Sequence, residues 1–314
     1  MQWTDRIGRR VKLRDLHILL AVAQSGSMAR AAERLAISHP VVSKTISDLE
    51  RALGVRLLDR TAQGIEPTAY GRAFITCGAT VFDELRRGVQ EIELLSDPTA
   101  GEIRIGSTGP ILDGLIPMVI ERLADRYPRI TYHALEGDTP TLCRMLRERK
   151  IDLAISRTWG SMFGDDFATQ FLFDEALFVI AGTDSRWSKR RKIDLVELLD
   201  EPWVLPESDN LVGALIADGF RRAGMALPTP RVISNSMAVR TRLVERGSFL
   251  TLLPKSILHF GDKRLRLKAL PVALPLMSQP VEVTTLKSRT PNAVTGLMVE
   301  QLRVVTQPLR KRRA

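Results

Sequence analysis

From Leu13 onward the apolar positions Leu13, Leu16, Leu20 and Ala23 recur at helical spacing, and Gly26 follows as the residue that most easily ends a helix. A second short helix is predicted through Arg34, capped by Ser27, with Met28, Ala31, Ala32 and Leu35 on its apolar side. The small alanines let two helices cross closely. After Ala36 and Ile37, Ser38 is placed to cap a third helix and Pro40 falls in its first turn, where a missing N–H costs nothing. Val42, Ile46, Leu49 and Leu53 give that helix one buried stripe. Its other face carries Pro40, Ser43, Lys44, Ser47 and Arg51, with His39 at the tip. Short hydrogen-bonding groups and cations suit a DNA major groove, with N-terminal residues at base edges and flanks at phosphates. Periodicity alone does not separate this from a three-helix bundle with a solvated face.

The next segment separates them. Gly54 stops the helix, Val55 to Leu58 reads as a strand, and Ala62-Gln63-Gly64 turns before Ile65-Glu66, so a hairpin wing follows the third helix. Thr68 then caps a long helix to about Leu95, with Phe74, Val81, Leu85, Ile92 and Leu95 spaced near the coiled-coil period. Such a stripe needs a partner helix, and Gly78 and Gly88 are tolerable there if another backbone approaches closely. A dimer is the natural inference.

Beyond the turn-forming run Ser96 to Gly101 the pattern alternates strands and helices. Strands are expected at Glu102–Ser107, Ile130–Glu136 and Leu153–Ser156, with helices at Ile111–Tyr127 and Thr139–Arg149, a parallel α/β reading. A second set starts near Ala176, with strands Leu177–Ala181, Trp203–Leu205, Val232–Ile233 and Phe249–Leu253 and helices Asn210–Ala223 and Met237–Arg246. Val281–Leu286 and the helix Ala293–Thr306 return to the first set, giving two lobes and a cleft. Ligands of open α/β sheets sit at strand carboxyl ends against helix N-termini. Those ends hold Ser107, Thr108, Gly109, Thr139, Arg157, Asn210 and Asn235. Each alone also reads as a helix cap, and their convergence carries the argument. Arg157 suits a carboxylate or, equally, a lobe-to-lobe salt bridge.

Composition changes this picture only modestly. The formal charge is +10, of which residues 1–66 hold +4 and the tail Arg310-Lys311-Arg312-Arg313 another +4, leaving the middle nearly neutral. That distribution favours nucleic acid near the ends of the chain, though a solvated basic tail is common. No apolar run approaches a membrane span, and Met1 to Lys12 is polar and Arg-rich, so secretion and membrane insertion lose support and a cytoplasmic location is expected. Cys77 and Cys143 sit alone in helical segments, and Cys143 reads as a small buried hydrophobe. His17, His39, His133 and His259 show no metal spacing, and no Walker lysine, dinucleotide fingerprint or nucleophile elbow appears. No cofactor and no enzymatic activity are expected.

Leu13 to Gly71, with Ala31-Ala32-Glu33-Arg34-Leu35, Ser38-His39-Pro40-Val41-Val42-Ser43-Lys44-Thr45-Ile46, Leu53-Gly54-Val55-Arg56-Leu57-Leu58-Asp59-Arg60 and Thr68-Ala69-Tyr70-Gly71, resembles the LysR-type transcriptional regulators. The resemblance implies a winged helix-turn-helix that reads a partly palindromic operator as a dimer or dimer of dimers, with a periplasmic-binding-protein-like effector domain. It places base-reading positions at His39, Pro40, Ser43 and Lys44, a minor-groove wing arginine at Arg60, and an effector-binding hydroxyl at Thr139. Three departures stand out. His39 replaces a usual Gln, Gln63 a common second wing Arg, and Pro110 the Ser that some members carry, leaving Ser107, Thr108 or backbone N–H groups to hold the ligand.

The expected architecture is therefore α/β: an N-terminal winged helix-turn-helix over 1–67, a linker and dimerisation helix over 68–98, and a bilobal effector domain over 99–314. Lobe I takes about 102–176 and 279–306, and lobe II about 177–278. The expected DNA contacts are Ser38, His39, Pro40, Ser43, Lys44, Arg51, Arg60 and Arg30. Expected partners are a double-stranded operator, a small polar organic effector (an acid or a sugar), a second or further copies in a homodimer or homotetramer, and RNA polymerase. Rival readings are an enzyme and a bilobal small-molecule-binding protein without a DNA role; duplex retention by the purified protein separates them.

Overall fold

The computed structural model describes residues 10–61, 64–97, 100–157, 165–261, 264–276 and 278–310, and the chain divides into two units, Met1–Ile92 and Glu93–Ala314. In the first unit α1 (Leu13–Ser25), α2 (Met28–Arg34) and α3 (His39–Leu53) pack around Ile18, Leu19, Val22, Ala31, Val42, Ile46 and Leu49. An antiparallel hairpin follows, β1 (Leu58–Thr61) with β2 (Gly64–Pro67), pairing Leu58 with Pro67 and Thr61 with Gly64. Then comes α4 (Ala69–Ser96).

Four local expectations need correction. The buried face of α1 is Leu16, Ile18, Leu19, Ala21 and Val22, while Leu13 is half exposed and Leu20 and Ala23 are only partly covered. The run from Leu16 to Ala23 is apolar on nearly every side except His17, so spacing alone marks several faces alike. The strand expected at Val55–Leu58 begins only at Leu58, because Glu50 Oε1 accepts the N–H groups of Leu57 (2.8 Å) and Leu58 (3.2 Å) and binds this stretch to α3. Ser27 and Ser38 occupy extended cap positions without a side-chain capping bond, whereas Thr68 Oγ1 accepts from Gly71 N–H at 2.9 Å. Gly78 faces the side chain of Leu16 rather than another backbone.

The second unit holds a five-stranded sheet, ordered β4-β3-β5-β12-β6. These strands are β3 (Ala100–Ser107), β4 (Arg129–Glu136), β5 (Leu153–Arg157), β6 (Phe167–Glu175) and β12 (Gln279–Leu286). The parallel expectation holds for β4-β3-β5 only; β12 runs antiparallel to both β5 and β6, and β6 carried no sequence expectation. Helices α5 (Gly109–Arg126), α6 (Thr139–Arg147) and α10 (Ala293–Thr306) belong to this lobe; α5 and α10 bury its core against Ile103, Ile105, Ile155 and Val283, and α6 packs on a neighbouring cluster around Ile151.

The chain leaves this sheet at Ala176 and enters β7 (Leu177–Gly182) of the second lobe. There β7 lies between β10 (Thr251–Pro254) and β11 (Leu267–Ala269), both antiparallel to it. The parallel pair β8 (Val204–Leu205) and β9 (Val232–Ile233) lies nearby, Trp203 bridging to Leu250, with α7 (Leu211–Arg222) and α8 (Met237–Glu245) completing the lobe. The expected strand Phe249–Leu253 thus begins two residues later and ends one residue later. A short helix, α9 (Lys255–Phe260), links the lobes: Ile257 packs in the second lobe and Phe260 in the core of the first, its ring 6.4 Å from Phe173.

Candidate functional sites: a helix face and an interlobe cleft

With Val42, Ile46 and Leu49 buried, α3 presents His39, Pro40, Lys44, Ser47 and Arg51 to solvent, with Ser38 exposed at its cap and Ser43 half-buried. Arg51 is already countered by Asp48, Nη1 to Oδ1 at 2.9 Å. Lys44 and, on α2, the exposed Arg30 have no ion-pair partner among the described residues. Arg60 falls within β1, but its side chain, like Gln63 and residues 311–314, lies outside the described residues. The same unit carries an apolar groove of about 780 Å³ between α1 and α4, lined by Leu13, Leu16, Tyr70, Phe74, Cys77 and Val81. Farther along α4, Leu85, Val89, Ile92 and Leu95 are exposed.

In the second unit a cleft of about 690 Å³ lies between the lobes. Thr108, Gly109, Thr139 and Arg157 reach it from the first lobe, Asn210 and Asn235 from the second. Ser107 is not brought there: it is fully buried and donates to the carbonyl of Ile155 at 2.9 Å. Strand alternation explains this, since successive residues at the end of β3 point to opposite faces. Thr108 caps α5 by position only, and its hydroxyl oxygen is buried without a protein partner among the described residues. Asn210 accepts from Gly213 N–H (2.8 Å) and donates to Asn235 Oδ1 (2.9 Å), which also accepts from Glu207 N–H (3.1 Å). These two amides fix each other at the head of α7.

Two groups escaped sequence reasoning. Arg240, one turn inside α8, is buried and donates to Thr251 Oγ1 (3.1 Å) and to the carbonyl of Leu252 while lining the cleft. Its signal was its place four residues beyond the cap Ser236, on the helix face that returns toward the strand ends. Glu175, at the end of the unforeseen β6, is buried and accepts from Ser256 N–H (3.1 Å) and Ser256 Oγ (2.5 Å). Arg157 is not in an ion pair with it, and its Nη1 has no hydrogen-bond partner among the described residues. Burial pushes the Arg157 guanidinium below its usual pKa, against the pull of Glu175. Burial, with the charge of Arg157 next, lowers Arg240 to about 10. Burial raises Glu175.

Residues 13–72 match the family described as "Bacterial regulatory helix-turn-helix protein, lysR family", and residues 96–306 match the "LysR substrate binding domain". The chain belongs to the LysR family of transcriptional regulators. Among similar proteins, the transcriptional dual regulator GltC of Bacillus subtilis is 25% identical, over 89% of this chain and 92% of its own. GbpR of Azospirillum brasilense, another transcriptional regulator, is 26% identical over 92% and 85%. A full-length OxyR variant from Pseudomonas aeruginosa shares the fold with a TM-score of 0.70 at 22% identity, covering 97% of this chain and 99% of that one. CbnR bound to its target DNA gives 0.64 at 21% identity, covering 94% and 100%. The LysR-family chain is thus a DNA-binding transcriptional regulator with an effector-binding domain. Among the described residues no helix is long and apolar enough to cross a membrane.

Proposed function

We propose that this regulator reads its operator with the exposed face of α3 and is switched by a small polar organic molecule in the interlobe cleft. One observation carries the reading: Val42, Ile46 and Leu49 of the α3 stripe are buried in the core, so Lys44 and its neighbours are held outward on a rigid element. In this reading His39, Pro40, Ser43 and Lys44 meet base edges, Arg30 and Ser38 meet the backbone, and Arg51 and Arg60 flank them. CbnR, of the same fold, is known bound to its target DNA. The groove beside α1 and the exposed stripe of α4 support a homodimer or higher homo-oligomer. In the same reading 1–67 is the DNA-binding domain, 68–98 the linker helix and 99–314 the effector domain, and the boundary between the two units, Ile92/Glu93, falls inside that linker helix. RNA polymerase is then the partner through which a bound regulator acts, inside the cytoplasm. The relatives are regulators, and this favours a non-enzymatic role over the rival readings.

The test is selection of random-sequence duplexes on the full-length protein at physiological salt. Enrichment of one pseudo-palindromic sequence, bound roughly a thousandfold or more tighter than bulk DNA, is expected. Retention of all duplexes alike would refute sequence-specific reading.

A further inference from the structure

Arg157 and Arg240 approach one cleft from opposite lobes, and each is buried, with 6% and 4% of its surface exposed. The buried acid nearest in charge is Glu175, whose carboxylate oxygens are taken by Ser256. Because both Glu175 oxygens accept hydrogen bonds, it is counted as a carboxylate even though burial raises its pKa, and two cations with one anion leave this buried cluster at +1. The other acids lining the cleft, Glu136, Asp138 and Asp209, are solvent-exposed. Arg240 is engaged by Thr251 and Leu252, but Arg157 keeps Nη1 unpartnered among the described residues. The hydroxyl of Thr108, which lines the same cleft, is also unpartnered among the described residues.

We propose that the effector is a monoanion: one carboxylate or similar oxyanion seated between Arg157 and Arg240, carried on an uncharged body. This rests on the reading of the cleft as the effector site, and it chooses between the acid and the sugar. A buried charge without a counter-charge is costly, and a single negative group brings the cluster to neutrality. A neutral sugar leaves the cluster at +1. A dianion exceeds the buried charge by one and brings its second group to walls that carry Glu136, Asp138 and Asp209. The rest of the wall suits an uncharged body, since Leu177, Leu211, Met237 and Leu252 line it together with Thr139. The depressed pKa values of both arginines agree, because each is held charged at a cost that an anion between them relieves. An anion bonded to both also joins the lobes, which links neutralisation to closure.

The test uses the full-length protein and calorimetry at constant ionic strength. The probes are the straight-chain acids from acetate to hexanoate, their amides, the dicarboxylates of equal length, and the trio gluconate, glucose and glucarate. Monocarboxylates, gluconate included, should bind more tightly than their neutral and dianionic counterparts. Arg157→Gln should weaken them about tenfold or more. Glu175→Gln, which raises the buried charge by one, should move preference toward dicarboxylates, an effect that a merely structural role would not produce. If Arg157→Gln fails to fold, Arg157→Lys keeps the charge but not the fork and should bind the acids more weakly than the parent. Amides or dicarboxylates binding as tightly as monocarboxylates, with binding lost in Thr139→Trp, would leave the cleft standing and overturn the charge class. Binding that survives both Thr139→Trp and Arg157→Gln would overturn the cleft itself. Silence from every acid would overturn the monoanion.

Discussion

The α-carbon of Gly71 lies against the carbonyl oxygen of Leu57, so closely that a β-carbon there would overlap it. The same oxygen accepts the Thr68 N–H at 2.9 Å, and Pro67 closes the other side. The hairpin therefore meets the first turn of α4 through backbone contact, which only glycine permits. Gly71→Ala should cost about 1–3 kcal/mol or more, since neither the carbonyl nor the helix can withdraw without breaking the Thr68 bond. A lowered urea midpoint for the N-terminal unit checks this; an unchanged midpoint would mean that the junction yields freely.

Lys44 and Arg51 stand on one face of α3, yet only Lys44 is without an ion-pair partner among the described residues. Lys44→Ala should therefore weaken operator binding by about 1–3 kcal/mol with the fold intact, the worth of one good base contact. Arg51→Ala should do less, because its charge is already shared with Asp48. Affinity measured across a salt series separates the two. Equal losses would show that Asp48 releases Arg51 on the DNA.

How much of this was legible depended on whether local spacing or distant pairing decided the outcome. The buried stripe of α3, the capping of α4 by Thr68 and the alternation from β3 to α6 are local patterns, and the structure has them. The start of β1 was not legible, because Glu50 reaches seven residues ahead to take the Leu57 N–H. Nor was β6, whose buried and exposed residues do not alternate; its partner β12 lies more than a hundred residues on. In the cleft, polar residues at strand ends could be named one by one. Ser107 failed because its hydroxyl is claimed by Ile155 across the sheet. Arg240 was missed because its role depends on Thr251 and Leu252, which only the fold brings near.

The exposed stripe of α4 gives a prediction about assembly. Leu85, Val89, Ile92 and Leu95 recur on one side of the helix, and the chain itself leaves them open to solvent. Apolar rows of this length at near-heptad spacing call for another helix. Leu85→Asp should leave the fold unchanged, since Leu85 is 49% exposed, but should shift the protein toward monomers in sedimentation at micromolar concentration. A parent protein that is itself monomeric there would end this reading of α4.

Ser107 and Thr108 are neighbours in sequence with opposite hydrogen-bond circumstances, and their variants should move stability and binding in different ways. Ser107 donates to Ile155 from a fully buried site, so Ser107→Ala removes a bond and leaves the Ile155 carbonyl with only the longer one from Thr108 N–H (3.4 Å), at about 1 kcal/mol. Its hydroxyl does not face the cleft, so ligand affinity should hold. Thr108 keeps a buried hydroxyl oxygen with no partner among the described residues, so Thr108→Val removes nothing the free protein uses and should be neutral or slightly stabilising. Because Thr108 lines the cleft at the head of α5, the same change should weaken a bound acid. Melting curves of the full-length variants with and without a bound monocarboxylate read both effects together. The expected pattern is a lower melting temperature with an unchanged ligand shift in Ser107→Ala, and an unchanged melting temperature with a reduced ligand shift in Thr108→Val. The reverse pattern would put Ser107, not Thr108, at the ligand.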